Sequence, residues 1–209
     1  MADGKGLPRP GRFVTLEGID GSGKSSALRR IEVALKADGV PVWATREETE
    51  TESGGWVRKA VSEAWPPVAT AALFVADRAR HVAEIQARLA AGTNVVCDRF
   101  VHSTLAYQAV TLDGVVPNPV GFLRGMHEGW CPSPDAVLWF DSDPEKAVAR
   151  ALRRGATTPY EKAAFLQKVR ANYAALARAE PRRIVRLDAD QPMEALAAQA
   201  IQAVRAALG

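Results

Sequence analysis

Gly18-Ile19-Asp20-Gly21-Ser22-Gly23-Lys24-Ser25 reads as a glycine, four residues, then Gly-Lys-Ser. In that spacing the glycines let backbone N–H groups curl around a phosphate, and the helix that begins at Ser25-Ser26 adds partial positive charge at its N-terminus. Lys24 can bridge β- and γ-phosphates, while the Ser25 hydroxyl can ligate Mg²⁺. The bland alternative is a glycine-rich turn capped by serine, which would not need the complete pattern. ATP or another nucleoside triphosphate, with Mg²⁺, is therefore the expected ligand. Asp20 is out of place in such a loop, because phosphates repel a carboxylate. It either faces a hydroxyl on an acceptor molecule or closes an Asx turn on its own backbone.

Other residue pairs could do chemistry. Phe74 and Arg78 stand four apart, so on a helix a ring and a guanidinium share one face, suited to stacking on a base and donating to its carbonyl edge. Periodicity equally allows Phe74 as core and Arg78 paired with Asp77 or Glu84. Asp98 and Arg99 close a short apolar run, where a carboxylate can hold Mg²⁺ through water and a guanidinium can grip a phosphate with two parallel hydrogen bonds; a structural salt bridge is the alternative. His81, His102 and His127 have neither metal spacing nor a nucleophile partner and are expected to be structural. Cys97 and Cys131 match no redox or metal pattern and read as packed thiols.

These residues need a scaffold. Apolar, β-prone runs at Phe13 to Glu17, Val40 to Thr45, Asn94 to Asp98, Ala136 to Asp141 and Arg183 to Asp188 read as strands. Helical patterns separate them: from Ser25 onward, Val57 to Glu63, Ala69 to Ala91, from near Pro144, and Met193 to Leu208. Five strands with helical crossovers predict an α/β fold, a three-layer α/β/α sandwich around a five-stranded parallel sheet, with ligands at the strands' carboxyl ends. Residues 1–12 read as a flexible tail and 13–209 as one domain. With 209 residues, 47% hydrophobic and 24% charged, a single soluble domain is the expectation. No apolar run reaches the ~18 residues of a membrane span, and the opening MADGKGLPRPGR lacks the apolar stretch of a signal peptide, so a cytoplasmic protein is expected. The net charge of +3 is spread without a Lys/Arg run, so a phosphorylated small molecule accounts for it as well as nucleic acid does.

The segments FVTLEGIDGSGKSS (13–26), ALFVADRARHV (72–82), VVCDRFVHSTLAYQ (95–108) and LDADQP (187–192) stand in the order and spacing of thymidylate kinases, phosphate-loop nucleoside monophosphate kinases that phosphorylate dTMP. The chain resembles that family from about Arg12 to its end. The resemblance implies transfer of the γ-phosphoryl of ATP to dTMP, giving dTDP and ADP. It gives Phe74 and Arg78 to thymine, Arg99 to the dTMP phosphate and Asp20 to the sugar 3′-hydroxyl. Tyr107 would stand against the deoxyribose and crowd out a 2′-hydroxyl, with Ser103 and Gln108 near the base. A homodimer is implied as well, with no nucleic-acid or membrane partner.

Two segments depart from the family pattern. Thr45-Arg46-Glu47 begins like the family's Thr-Arg-Glu-Pro-Gly-Gly, with Arg46 reaching the phosphates, but Glu48, Glu50 and Glu52 intervene before Gly54-Gly55. Those acids should point to solvent, or the loop should be mobile. In the lid, about residues 150–161, the family's Asp-Arg pair is replaced by Thr158-Pro159. In this family a catalytic arginine comes from the phosphate loop or from the lid, and no basic residue stands between Gly18 and Gly23, so the resemblance implies that Arg150, Arg153 or Arg154 supplies it; otherwise these form a solvated basic helix end. The altered lid leaves open a kinase for another nucleoside monophosphate, or an ATP-binding regulator.

Overall fold

The computed structural model describes residues 10–153 and 160–209. The sheet is built from β1 (Phe13–Glu17), β2 (Val42–Arg46), β3 (Asn94–Asp98), β4 (Ala136–Asp141) and β5 (Ile184–Asp188). All pairings are parallel and the strand order is β2-β3-β1-β4-β5. Alternation along the strands divides the core. Val14, Leu16, Val96, Leu138 and Phe140 point to one face, where Ile31 and Leu35 of α1 (Lys24–Ala37) and Leu196 and Val204 of α8 (Met193–Leu208) cover them. Phe13, Val95, Cys97 and Trp139 point to the other. That face is covered by α3 (Pro67–Ala90), α4 (Val101–Thr111) and α7 (Tyr160–Ala179). Because both faces are covered, the strands read as apolar runs rather than as alternations.

The remaining elements follow local rules. Helix α2 (Glu52–Ser62) starts earlier than its apolar periodicity suggests, its first turn being polar. Helix α5 (Pro119–Gly125) is capped by the Asn118 side chain, which accepts from Gly121 N–H at 3.0 Å, with Pro119 at the first position. Helix α6 (Pro144–Leu152) repeats the device: Asp143 accepts from the N–H groups of Glu145 and Lys146. Gly11 N–H donates to Leu89 O at 2.8 Å and Arg12 N–H to Asn94 Oδ1 at 2.8 Å, so packing begins within the stretch expected to be tail. No described helix is long and apolar enough to cross a membrane.

The topology creates the site. The chain leaves β1 and returns as β2 beyond the later β3, then passes to β4 on the other side of β1. The order therefore reverses between β1 and β3, and a crevice opens at their carboxyl ends. Leu16 pairs with Asp98 in register, and Arg99 N–H donates to Leu16 O at 2.9 Å. The loop after β1 and the Asp98-Arg99 pair after β3 are thereby forced side by side.

Candidate active site

The loop after β1 is shaped for close approach. Gly18 has φ +141°, and a Cβ there would come within 2.5 Å of Phe140 O; Gly21, at φ +82°, would meet Ala147 O at 2.3 Å. Neither position can take a side chain. No side chain caps α1, whose N-cap Gly23 is left-handed, so its first N–H groups face the loop's hollow. That hollow, about 110 Å³, is lined by Gly21, Gly23, Lys24, Ser25 and Ser26, with Asp98 and Arg99 across from them. Ile19, by contrast, is buried in the core.

Lys24 lies over the loop, donating to Gly18 O and Ile19 O at 3.0 Å each, with Ser22 Oγ at 3.4 Å. Burial, helped by the positive charge of Arg99, pushes its ammonium down to about 8 against the pull of Asp98, Asp20 and Glu17. Ser25 Oγ donates to Asp98 Oδ2 at 2.5 Å. The other carboxylate oxygen, Asp98 Oδ1, is buried with no hydrogen-bond partner among the described residues. A hydroxyl and an unspent carboxylate oxygen beside a phosphate hollow fit Mg²⁺, which takes few protein ligands and fills its shell with water and phosphate oxygens.

Arg99 is the centre of the site. It has φ +75°, unusual for a non-glycine residue, and this turns its side chain back toward the loop. Nη1 donates to Gly18 O at 3.1 Å and Ser103 Oγ at 3.0 Å, and Nη2 donates to Asp20 Oδ1 at 2.9 Å. Tyr107 packs its ring against the guanidinium at 5.0 Å. Its hydroxyl accepts from Asp20 N–H at 2.9 Å and donates to Asp20 Oδ2 at 3.1 Å. Burial raises the Tyr107 phenol, so it stays protonated and able to donate. Although desolvation works against it, Asp20 is held below the usual carboxylate range by Arg99, Lys24 and Tyr107.

Behind Arg99 lies a residue that the spacing of motifs does not reveal. Glu17, the last residue of β1, is fully buried, and burial raises its carboxyl. Its Oε1 accepts from Phe100 N–H at 2.8 Å; Oε2 accepts from Ser103 Oγ at 2.5 Å and from the Tyr173 hydroxyl at 3.1 Å. Ser103 thus spends its hydroxyl on Glu17 and Arg99 and holds the arginine, although it also borders the cavity expected for the base. Glu17 lies within the first of the four matched segments, but what singles it out there is a carboxylate ending an otherwise apolar strand.

That cavity measures about 850 Å³ and is mainly apolar, within the range of small-molecule sites. Phe74, Arg78, Ser103, Tyr107 and Gln108, the residues that the resemblance gives to the acceptor, all lie in its wall. Trp65, on the α2–α3 connection, and Phe165 of α7 border it too, and neither belongs to a recognised segment. Arg78 does not pair with Asp77 or Glu84. Glu47 takes it instead, accepting from Nε at 2.9 Å and Nη2 at 2.6 Å. Asp77 is committed to Thr49 and Ser53, and Glu84 to Arg88.

The departures from pattern resolve differently. Asp77 accepts from Thr49 N–H at 2.9 Å, Thr49 Oγ1 at 2.6 Å and Ser53 Oγ at 2.7 Å, which ties down the segment after β2. Glu50 and Glu52 then face solvent, with Glu48 partly covered. Arg46 borders the phosphate hollow, its side chain 58% exposed and 4.0 Å from Glu50. At the root of the lid, Arg150 Nε donates to Gly21 O at 3.0 Å, and Nη2 to Ser142 Oγ and, at 3.0 Å, to Asp190 Oδ1. Arg153 is exposed at the end of α6; Arg154 and Thr158-Pro159 lie outside the described residues.

A phosphate hollow after β1, a second cavity beside it and an arginine between them define a phosphate-loop kinase. The thymidylate kinase family model matches residues 16–200. Among curated relatives, the chain is 41% identical over 196 residues to a probable thymidylate kinase of Methanosarcina mazei, covering 93% of this chain and 95% of that one. A probable thymidylate kinase of Halobacterium salinarum is 43% identical over 198 residues (94% and 96%), and one of Methanoculleus marisnigri 43% over 186 (88% and 90%). The chain belongs to the thymidylate kinase family, and its reaction is the ATP-dependent phosphorylation of dTMP to dTDP.

Proposed function

We propose that the transfer takes place where the two cavities meet, with the triphosphate of ATP in the loop after β1 and dTMP in the larger cavity. The observation that carries this is shared lining: Asp20, Arg99 and Glu47 border both spaces. A phosphate oxygen of dTMP attacks the γ-phosphorus, the bond to the β–γ bridging oxygen breaks, and ADP leaves with that electron pair. A phosphate dianion is already a nucleophile, so no side chain has to remove a proton. Catalysis reduces to positioning and charge neutralisation.

Each side chain then has a role. Lys24 turns from the loop carbonyls to the β- and γ-phosphates; Arg99 holds the acceptor phosphate; Arg46 and the arginines of the lid, Arg150, Arg153 and Arg154, offset charge on the transferring group. Phe74 stacks on the base, Arg78 donates to it, and Tyr107 stands against the sugar with Asp20 on its 3′-hydroxyl. Mg²⁺ would be held by Ser25 and, directly or through water, by Asp98, neutralising charge on the phosphates of bound ATP. Asp98→Asn should then raise the Mg²⁺ concentration needed for half-maximal rate. An ATP switch would have no use for the acceptor cavity. Two copies are proposed to pair through helices outside the active site, in a cytoplasmic enzyme; sedimentation tests the pairing.

The deciding experiment is ADP release with ATP and Mg²⁺, without acceptor and then with dTMP, dUMP, dCMP, dGMP and UMP at equal concentration. Turnover that depends on dTMP, with little from UMP, supports these assignments. Equal slow release with every acceptor or none would overturn them.

A further inference from the structure

Arg78 is among the largest fully buried side chains of the described residues, yet it stands in the wall of the acceptor cavity. Its hydrogen bonds can be counted. A guanidinium has five N–H groups and no acceptor. Nε and one Nη2–H go to Glu47 Oε2; the two Nη1–H groups go to Thr104 Oγ1 at 2.9 Å and His127 Nε2 at 2.7 Å. One Nη2–H is left without an acceptor among the described residues.

His127 can accept because its other nitrogen is fixed. Nδ1 lies 2.6 Å from Leu123 O, and a carbonyl can only accept, so Nδ1 carries the proton and Nε2 presents a lone pair. Leu123 O belongs to α5, and the His127 ring stacks on Trp130 at 5.7 Å, so ring and tautomer are both held. His127 itself is buried and does not line the cavity. It acts from behind.

We infer that His127 is a positioning residue for base selection: by taking an Nη1–H of Arg78 it fixes the plane of the guanidinium and leaves one Nη2–H for the ligand. A pocket whose unspent group is a donor favours a pyrimidine with a carbonyl at position 4 over one with an amino group there. A site built to hydrogen-bond rejects the analogue that leaves its buried polar group unpaired. This rests on the reading that the base of dTMP sits against Arg78.

Two substitutions divide the imidazole. In His127→Asn the amide takes the place of Nδ1, keeping the bond to Leu123 O and losing Arg78; in His127→Gln the amide oxygen takes the place of Nε2, keeping Arg78 and losing Leu123 O. The readouts are KM and kcat for dTMP, the ratio of kcat/KM for dTMP over dCMP, and the melting temperature. His127→Asn should raise KM for dTMP about tenfold and lower the dTMP/dCMP ratio, with kcat within about twofold. His127→Gln should keep KM and the ratio near those of the parent, even where its melting temperature falls further. If both variants keep the parental KM and ratio, or if the effects follow the loss of melting temperature instead of the loss of the Arg78 bond, His127 is only a packing residue. A parent enzyme that turns over dTMP and dCMP equally would overturn the acceptor reading itself, before any variant is made.

Discussion

Arg99 Nη2 donates to Asp20 Oδ1 at 2.9 Å across 79 positions of sequence, so the arginine after β3 is fastened to the phosphate loop by the protein's own side chains. The fastening is preorganisation. The guanidinium already lies over the Tyr107 ring and is braced by Ser103 and Glu17, so binding an acceptor phosphate requires little further ordering. Arg99→Lys retains the charge but loses the planar fork. Steady-state kinetics should show kcat/KM for dTMP falling about 100-fold or more, while the Kd for ATP, measured by titration, changes only a few-fold. Equal losses on both substrates would place Arg99 in loop stability alone.

Tyr107 separates two roles that one hydroxyl and one ring combine. Tyr107→Phe removes the hydroxyl that accepts from Asp20 N–H and donates to Oδ2, but keeps the bulk. KM for dTMP should rise about fivefold, with the preference for deoxyribose intact. Tyr107→Ala removes the bulk. The ratio of kcat/KM for dUMP over UMP should then fall about tenfold or more, as expected when a steric barrier to a 2′-hydroxyl is taken away. If the alanine variant keeps the parental ratio, the sugar is selected elsewhere.

Lys24 links nucleotide binding to pH. Its folded value, pushed down to about 8 by burial and Arg99, lies below the 10.5 of the unfolded chain. Between those values the unfolded state binds more protons, so stability rises with pH from about 8 to 10.5. At neutral pH the buried charge is a penalty of about 3 kcal/mol. Phosphates restore the charged form, so ATP binding near pH 8 should take up roughly half a proton. Calorimetry in two buffers of different ionisation enthalpy reads that uptake directly, and Lys24→Met should abolish both the uptake and turnover.

What the sequence discloses depends on distance along the chain. The phosphate loop is legible because its function rests on eight consecutive residues, and the five strands because burial on both faces leaves apolar runs. Helix α5 has only seven residues between Pro119 and Gly125, too few for a period, and is missed. Partners are the least visible. Arg78 has acids at one and six positions away, yet bonds Glu47 at 31 and His127 at 49, because the ends of β2 and α5 converge on α3. Glu17 is hidden for the same reason: Ser103 and Tyr173, which give it a purpose, come from α4 and α7.

His127 should set much of the acid limit of stability. Burial, reinforced by the facing Arg78, pushes its imidazole down to about 4 from an ordinary 6.5, with Glu47 and the Leu123 carbonyl pulling weakly the other way. The sign follows from proton counting. Between pH 6.5 and 4 the unfolded chain holds a proton that the folded chain excludes, so this contribution is complete above 6.5 and is lost as pH falls toward 4. From pH 7.5 to pH 5 the loss is about 2 kcal/mol. Glu17, raised by burial, contributes with the opposite sign in the acid range, so the parent's curve alone does not isolate the histidine. Urea unfolding at half-unit steps from pH 7.5 to 5 should show the parent losing about 2 kcal/mol more than His127→Gln, which has nothing to titrate at that position. Parallel curves for the two proteins would mean that His127 titrates normally, and then its acceptor role toward Arg78 could not persist at mildly acid pH.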